Sequence, residues 1–417
     1  MRYLKPLINQ FIQKEKKMAF IAGPRQVGKT TLTQSFLPEN QRGYFNWDID
    51  AHQKAILKDP GGFWQQSEKI DRIVLDEIHK YPRWKKFLKG LYDDVGHSLE
   101  MIVTGSGRLD IYQKGGDSLL GRYGLTHLHP FSVGEFIQNN RESVRRPEEA
   151  LSLILAEETS SEAAEAWKLI EKFGGFPEPL FAANEEALVR WQRAHRHLVI
   201  REDLRDLTRI REIGLIDALV QLLPERIGSP LSLNSLREDL GVAFGTVQGW
   251  ITNLSRLYYL FALRPFAGRL ARTLRREEKI YLFDPTAIEK EGARFENLVA
   301  LHLKKACDVW NDWGFGDFDL FYLRDKEKRE VDFLITKKQR PYLLVECKLS
   351  DQETSKDLLY FSERLKPTFA FQIVRELPQR IIVRHEEKVV ICAADRFLAR
   401  LPYVANVKFL EIKMIKK

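Results

Sequence analysis

The first third of the chain predicts an α/β fold on a mainly parallel sheet, and three stretches carry that reading. Apolar Met18 to Ala22 runs into Gly23-Pro24-Arg25-Gln26-Val27-Gly28-Lys29-Thr30, a complete G-x-x-x-x-G-K-[ST] P-loop, with a helix expected from Thr31 to Leu37. Ile73 to Leu75 is a second apolar run, and it ends on two acids, Asp76 and Glu77. Met101 to Thr104 is a third, followed by Gly105-Ser106-Gly107-Arg108. Strands buried on both faces read as continuous apolar runs. Their alternation with helical stretches predicts a layer whose ligand crevice opens at the carboxyl ends of the strands.

Each element has a chemical reading at that crevice. Gly23 and Gly28 permit backbone angles that turn successive N–H groups toward phosphate oxygens, and the dipole of the following helix favours negative charge. Gly23 through Thr31 is therefore the expected nucleotide-binding set, with Lys29 reaching the β and γ phosphates of ATP and Thr30 ligating Mg²⁺. Asp76 would share that ion, and Glu77 would take a proton from, or orient, the attacking water. Thr104 and Ser106 either sense the γ-phosphate or form a plain turn. Tyr44 to Trp47 reads as a short strand leading to Asp48, which either faces the site or, as the simpler role, caps a helix from Ala51 to Leu57.

At 417 residues the chain exceeds one hydrophobic core, which predicts about three domains. With 44% hydrophobic and 30% charged residues, and no run near the roughly 18 apolar residues of a membrane helix, the expectation is a cytoplasmic protein without a membrane partner. The amino-terminal residues, rich in lysine, lack a signal peptide's apolar centre. Cys307, Cys347 and Cys392 are too few and too scattered for a disulfide framework or a metal-ligand pair. A net charge of +8 permits nucleic acid as a partner, and equally a merely solvated basic surface.

Beyond residue 140 the pattern turns helical, with runs such as Ala150 to Ala166 and Glu185 to Val199 around the turn Phe173-Gly174-Gly175-Phe176-Pro177. Pro230 to Leu254 reads as helix, tight turn at Gly241, helix; the strand Phe261 to Leu263 with the one after it would make a wing. Thr246 and Gln248 would then be exposed on the second helix, followed by the basic stretch Arg264, Arg269, Arg272, Arg275, Arg276 and Lys279. Such a stretch suits a DNA backbone, although similar helix pairs also dock proteins. Further on, Ile280 to Asp284 reads as a strand, Gly292 to Ala306 as a helix, and Asp319 to Leu323, Glu330 to Ile335 and Tyr342 to Val345 as strands. Asp332 and Glu346 with Lys348 have the spacing of a D…E-x-K site, in which two carboxylates share Mg²⁺ and the lysine steadies the attacking hydroxide. Glu296 would complete the metal shell. Phe369 to Val374, Arg380 to Val383 and a tail from Val407 read as further strands.

The local matches G-P-R-Q-V-G-K-T, L-D-E-I-H-K, I-V-T-G-S, Ser118 to Arg122 and Leu128 to Phe136 resemble the AAA+ ATPases of the AAA_14/DUF4143 family. The resemblance implies an AAA+ core over 1–140, a helical lid over 141–226, a winged helix over 227–274 and a DUF4143 region over 275–417. The last of these resembles the PD-(D/E)XK nuclease fold, with the order Glu296, Asp332, Glu346, Lys348 complete. The AAA+ resemblance implies Arg122 as first candidate for an arginine finger in a homo-oligomer, with Arg108 second; an ordinary salt bridge is the other reading of Arg122. The turn at Pro177 resembles the GxP turn of STAND-like switch ATPases, which couples lid to nucleotide. Three functions are compatible with these features: an ATPase that remodels or translocates on DNA (helicase or branch-migration type), a nuclease gated by ATP, and a nucleotide-switched protein-interaction ATPase whose nuclease-like domain is non-catalytic.

Overall fold

The computed structural model describes residues 2–65, 70–105, 119–137, 146–156, 160–204, 213–266, 277–350, 353–377, 381–384 and 389–402. A five-stranded parallel sheet forms the first layer: β1 (Met18–Ala22), β2 (Tyr44–Asn46), β3 (Arg72–Asp76), β4 (Glu100–Thr104) and β5 (Tyr123–His127), in the order β2-β3-β4-β1-β5. Strand β4 thus lies between the strand that feeds the P-loop and the strand that ends on Asp76. All five residues of β1 are buried, as a central strand covered on both faces requires. Its continuous apolar run still divides by pleat: Ala19 and Ile21 join one core, while Met18, Phe20 and Ala22 join another on the opposite face.

The helical segment that follows contains Pro147–Ala156, Ser161–Phe173, Pro177–Ala182 and Glu185–Leu198. The run expected to continue from Ala150 to Ala166 is interrupted by a new helix start. Ser160 caps it, its hydroxyl accepting the Ala163 N–H at 3.3 Å. Asn184 does the same for the last of the four helices, accepting from Ala187 N at 2.9 Å.

Helices Leu233–Leu240 and Phe244–Arg256 meet at Gly241, whose φ of 65° needs no Cβ to avoid. A two-stranded antiparallel ribbon follows, β6 (Leu260–Leu263) with β7 (Lys279–Leu282), so the strand near residue 280 pairs backward with the helix-pair segment and is no part of the larger carboxyl-terminal sheet. That sheet contains β8 (Phe318–Arg324), β9 (Glu330–Lys337), β10 (Arg340–Lys348), β11 (Phe369–Val374), β12 (Ile381–Arg384) and β13 (Val389–Ala393), in the order β12-β13-β11-β10-β9-β8. It is mixed: β10–β11 and β11–β13 run parallel, the other pairs antiparallel. Helix Lys356–Leu365 covers one face and the long helix Glu291–Asp312 the other. The expected strand from Val407 lies outside the described residues.

One core runs through all of these segments. Residues of β1, β3 and β4 belong to the same buried cluster as Trp167, Trp191, Leu236, Trp250 and Phe295. The seam between the segment from β5 to Glu135 and helix Glu291–Asp312 is polar and paired: His127 Nδ1 meets Asp312 Oδ1 at 3.0 Å, His129 Nε2 meets Asp308 Oδ2 at 2.8 Å, and Lys305 bonds Glu135 at 2.5 Å. His302 Nε2 accepts the Val133 N–H at 3.1 Å, which fixes that ring as neutral. No helix among the described residues is long and apolar enough to cross a membrane.

Candidate nucleotide site and carboxyl-terminal acid cluster

The P-loop has the backbone its glycines imply. Gly28 has φ 95° and Gln26 φ 61°, so the chain turns sharply before the helix Lys29–Gln34. A Cβ on Gly23 would collide with the Leu128 carbonyl, which explains glycine there. Val27 is fully buried and anchors the loop from below. The Lys29 ammonium donates to the Gly23 and Pro24 carbonyls at 2.9 and 2.8 Å, holding its charge inside the loop's curve.

Asp76 is the centre of the site. It is 1% exposed, and three hydroxyls converge on it: Thr30 Oγ1 on Oδ2 at 2.8 Å, Tyr44 OH on Oδ2 at 2.6 Å, and Thr104 Oγ1 on Oδ1. Strand order explains this, because β4 lies beside β3 and ends level with it, so Thr104, read as a phosphate sensor or a plain turn, is aimed at Asp76. Thr30 and Asp76 lie side by side, an all-oxygen pair suited to Mg²⁺. Tyr44 was not anticipated. Its signal was period-two alternation, which puts Tyr44 and Asn46 on one face of β2, with Asn46 Nδ2 donating to the Tyr44 oxygen at 3.3 Å. Glu77 has φ 54°, which swings its carboxyl away from Asp76 toward His79 Nε2 at 3.6 Å and Lys80 at 3.9 Å. Burial raises its pKa above the usual carboxylate value, against the pull of Lys29. Asp48 does not cap the next helix: Ile49 holds that position without a side-chain bond, and Asp48 takes Lys80 at 2.6 Å. Ser106 and Arg108 lie outside the described residues.

Residues of the helical segment approach the P-loop at three points. A Cβ added at Gly28 would lie 3.7 Å from Pro177 Cγ, so the Pro177 ring is close to the loop. Gln26 Oε1 meets His195 Nδ1 at 2.9 Å, and Arg25 Nη2 meets Glu202 Oε2 at 2.9 Å. A cleft of about 240 Å³ lies behind His195, lined in part by Gln192, Arg196, Tyr259 and Asp284. Arg122 is at the amino end of β5, the opposite end of the sheet from the P-loop. Its guanidinium forks onto Asp93 of the same chain at 2.7 and 3.1 Å, an exposed pair.

The carboxyl-terminal candidates also gather, but around a residue sequence reasoning placed elsewhere. Asp332 Oδ2 accepts the Cys347 N–H at 2.8 Å, Glu346 Oε2 faces Asp332 N at 3.4 Å, and Lys348 Nζ lies 2.9 Å from Glu346. Burial and the neighbouring charges of Glu296 and Glu346 push the Asp332 pKa well up. Lys279, expected in an exposed basic track, has a side chain 1% exposed: its ammonium bonds Glu330 at 2.6 Å and Glu296 at 3.2 Å. Glu296 also accepts from Tyr281 OH at 2.8 Å. With that cation inside, the carboxylates do not fit a divalent ion as placed, and no group of three or more His, Cys, Asp or Glu among the described residues is arranged to hold a metal. Thr246 is half-buried and Gln248 exposed; Arg264 is exposed and paired with Glu278 at 2.9 Å. Arg269, Arg272, Arg275 and Arg276 lie outside the described residues.

Three stretches of the chain match family models. Residues 15–137 match the family model of an AAA domain, 166–288 a domain of unknown function (DUF8612), and 291–399 a second (DUF4143). The chain therefore carries an AAA-type ATPase domain, a nucleotide-binding P-loop unit, followed by a DUF4143 domain. It is similar to the uncharacterised protein MJ1637 of Methanocaldococcus jannaschii, at 24% identity over 90% of this chain and 84% of that protein. It is also similar to the uncharacterised protein Rv2008c of Mycobacterium tuberculosis, at 22% over 78% and 69%. Among solved structures it overlaps a variant of Thermotoga maritima RuvB, covering 67% of this chain and 90% of that one (18% identity, TM-score 0.32). A Signal Transduction ATPase with Numerous Domains (STAND) protein of Pyrococcus horikoshii, PH0952, overlaps 71% of this chain and 44% of its own (15% identity, TM-score 0.26).

Proposed function

We propose that the chain is a nucleotide-switched ATPase in which the lid reads the occupant of the P-loop. The observations that support this are His195 on Gln26 and Glu202 on Arg25, with the Pro177 ring close to Gly28. A loop that moves to admit phosphates must shift the helices that touch it. In this reading Lys29 and the loop amides bind ATP, Thr30 and Asp76 hold Mg²⁺, and Tyr44 and Thr104 fix the orientation of Asp76. The metal would neutralise phosphate charge as the γ-phosphoryl group leaves. Glu77, lifted in pKa by burial, accepts the proton of the attacking water. Arg122 would serve a neighbouring copy, since its own P-loop lies across the sheet.

The test is ATP turnover and assembly state with ATP or ADP, with Lys29→Ala as the blank. The switch predicts slow hydrolysis, tight ADP binding and assembly that follows the nucleotide without regard to DNA. A second reading, remodelling of DNA through a winged helix, is favoured by the exposed Gln248 and Arg264 on the helix pair and ribbon. Turnover stimulated by single strands, duplex, forks or four-way junctions, and weakening with salt, would select it over the switch.

A further inference from the structure

The acid cluster of the carboxyl-terminal domain receives a cation from another part of the chain. Lys279 is on β7, whose partner β6 follows directly on the helix pair, yet its buried side chain reaches carboxylates of helix Glu291–Asp312 and of β9. Its ammonium touches Glu296 from the helix and Glu330 from β9 and stands 5.6 Å over the Tyr322 ring of β8. Tyr281, two residues on and on the same face of β7, adds its hydroxyl to Glu296 at 2.8 Å. The ribbon is fastened alongside: Phe266 N donates to the Tyr322 carbonyl at 2.8 Å, and Tyr322 OH to the Glu277 carbonyl at 2.6 Å.

We propose that Lys279 is a tethered counter-cation that occupies the position a divalent metal would need, so that the cluster of Glu296, Glu330, Asp332 and Glu346 is a socket for the ribbon and takes metal only when Lys279 is removed. A buried carboxylate group must be neutralised by something, and a lysine supplied from the ribbon does so without an ion from solution. The consequence is a domain without metal-dependent cleavage while the ribbon is docked. This does not depend on the nucleotide-switch reading, because no P-loop residue takes part.

The probe is Mn²⁺, titrated into the nucleotide-free full chain and followed by electron paramagnetic resonance. The quantity read is bound Mn²⁺ that disappears on adding Asp332→Asn, a subtraction that leaves ions at the P-loop out of account. The wild-type chain should show none, and Lys279→Met about one per chain. Removing one member of a buried pair risks the fold, so Lys279→Met/Glu330→Gln, which removes both, is the second variant and should bind like the first. Mn²⁺ bound by the wild type and lost with Asp332→Asn would overturn the proposal, as would folded variants that bind none.

Discussion

Asp76 illustrates how much of a candidate site depends on residues that carry no charge. Thr30, Tyr44 and Thr104 each give it a hydroxyl, and each comes from a different element. A hydrogen bond to a charged group contributes about 1.5–3 kcal/mol, so Tyr44→Phe should reduce kcat/KM for ATP by about tenfold or more with little change in fold. Steady-state turnover across Mg²⁺ concentrations measures it; unchanged turnover would show that Thr30 and Thr104 suffice. The P-loop and the strand that ends on Asp76 were legible in the sequence because both are local: the motif is contiguous and the apolar run stops at its own acids. Tyr44 was not, since an aromatic residue in a short strand reads as packing, and its acid is on a neighbouring strand. Lys279 was misread for the same reason. In a run of basic residues it has every sign of solvent exposure, and only pairing across the chain shows its carboxylate partners.

Among the elements, the helix Glu185–Leu198 links the helical segment to the P-loop, presenting His195 to Gln26 and packing Trp191 against Phe176 at 4.8 Å between ring centroids. Asn184→Ala should cost about 1 kcal/mol by removing its cap, and the loss should appear as faster amide exchange in that helix. Pro177→Ala tests the turn differently. It keeps the helix start but loses the ring against Gly28, so ADP release should change while global stability falls little, a split measurable by stopped-flow and thermal melting. The helices and strands themselves were mostly visible from periodicity. The ribbon's allegiance was hidden, because β6 and β7 are separated by fifteen residues, and no turn signature assigns a strand to one sheet over another.

For the molecule as a whole, a shared core predicts shared fate. A chain ended after residue 288 would strip helix Glu291–Asp312 from β5 and expose the faces that helix covers, Trp167 opposite Phe295 among them; it should be aggregation-prone, which light scattering on the truncated and full chains would measure. Acid should act on the same seams. Burial lowers His129, His195 and His302 from 6.5 to about 4, with the Asp308 hydrogen bond opposing it for His129. Each stays neutral in the folded chain while the unfolded chain takes up a proton below 6.5, so stability is present above that pH and is lost as pH falls toward 4. Three such groups give a slope of up to about 4 kcal/mol per pH unit, which urea melts between pH 7 and 4.5 would reveal. His127 and His129, facing Asp312 and Asp308, also limit how such a protein can be inherited or recombined. A chimera joining this motor to a relative's carboxyl-terminal half would leave both rings opposite strangers, so exchange succeeds only where the strand and the helix travel together.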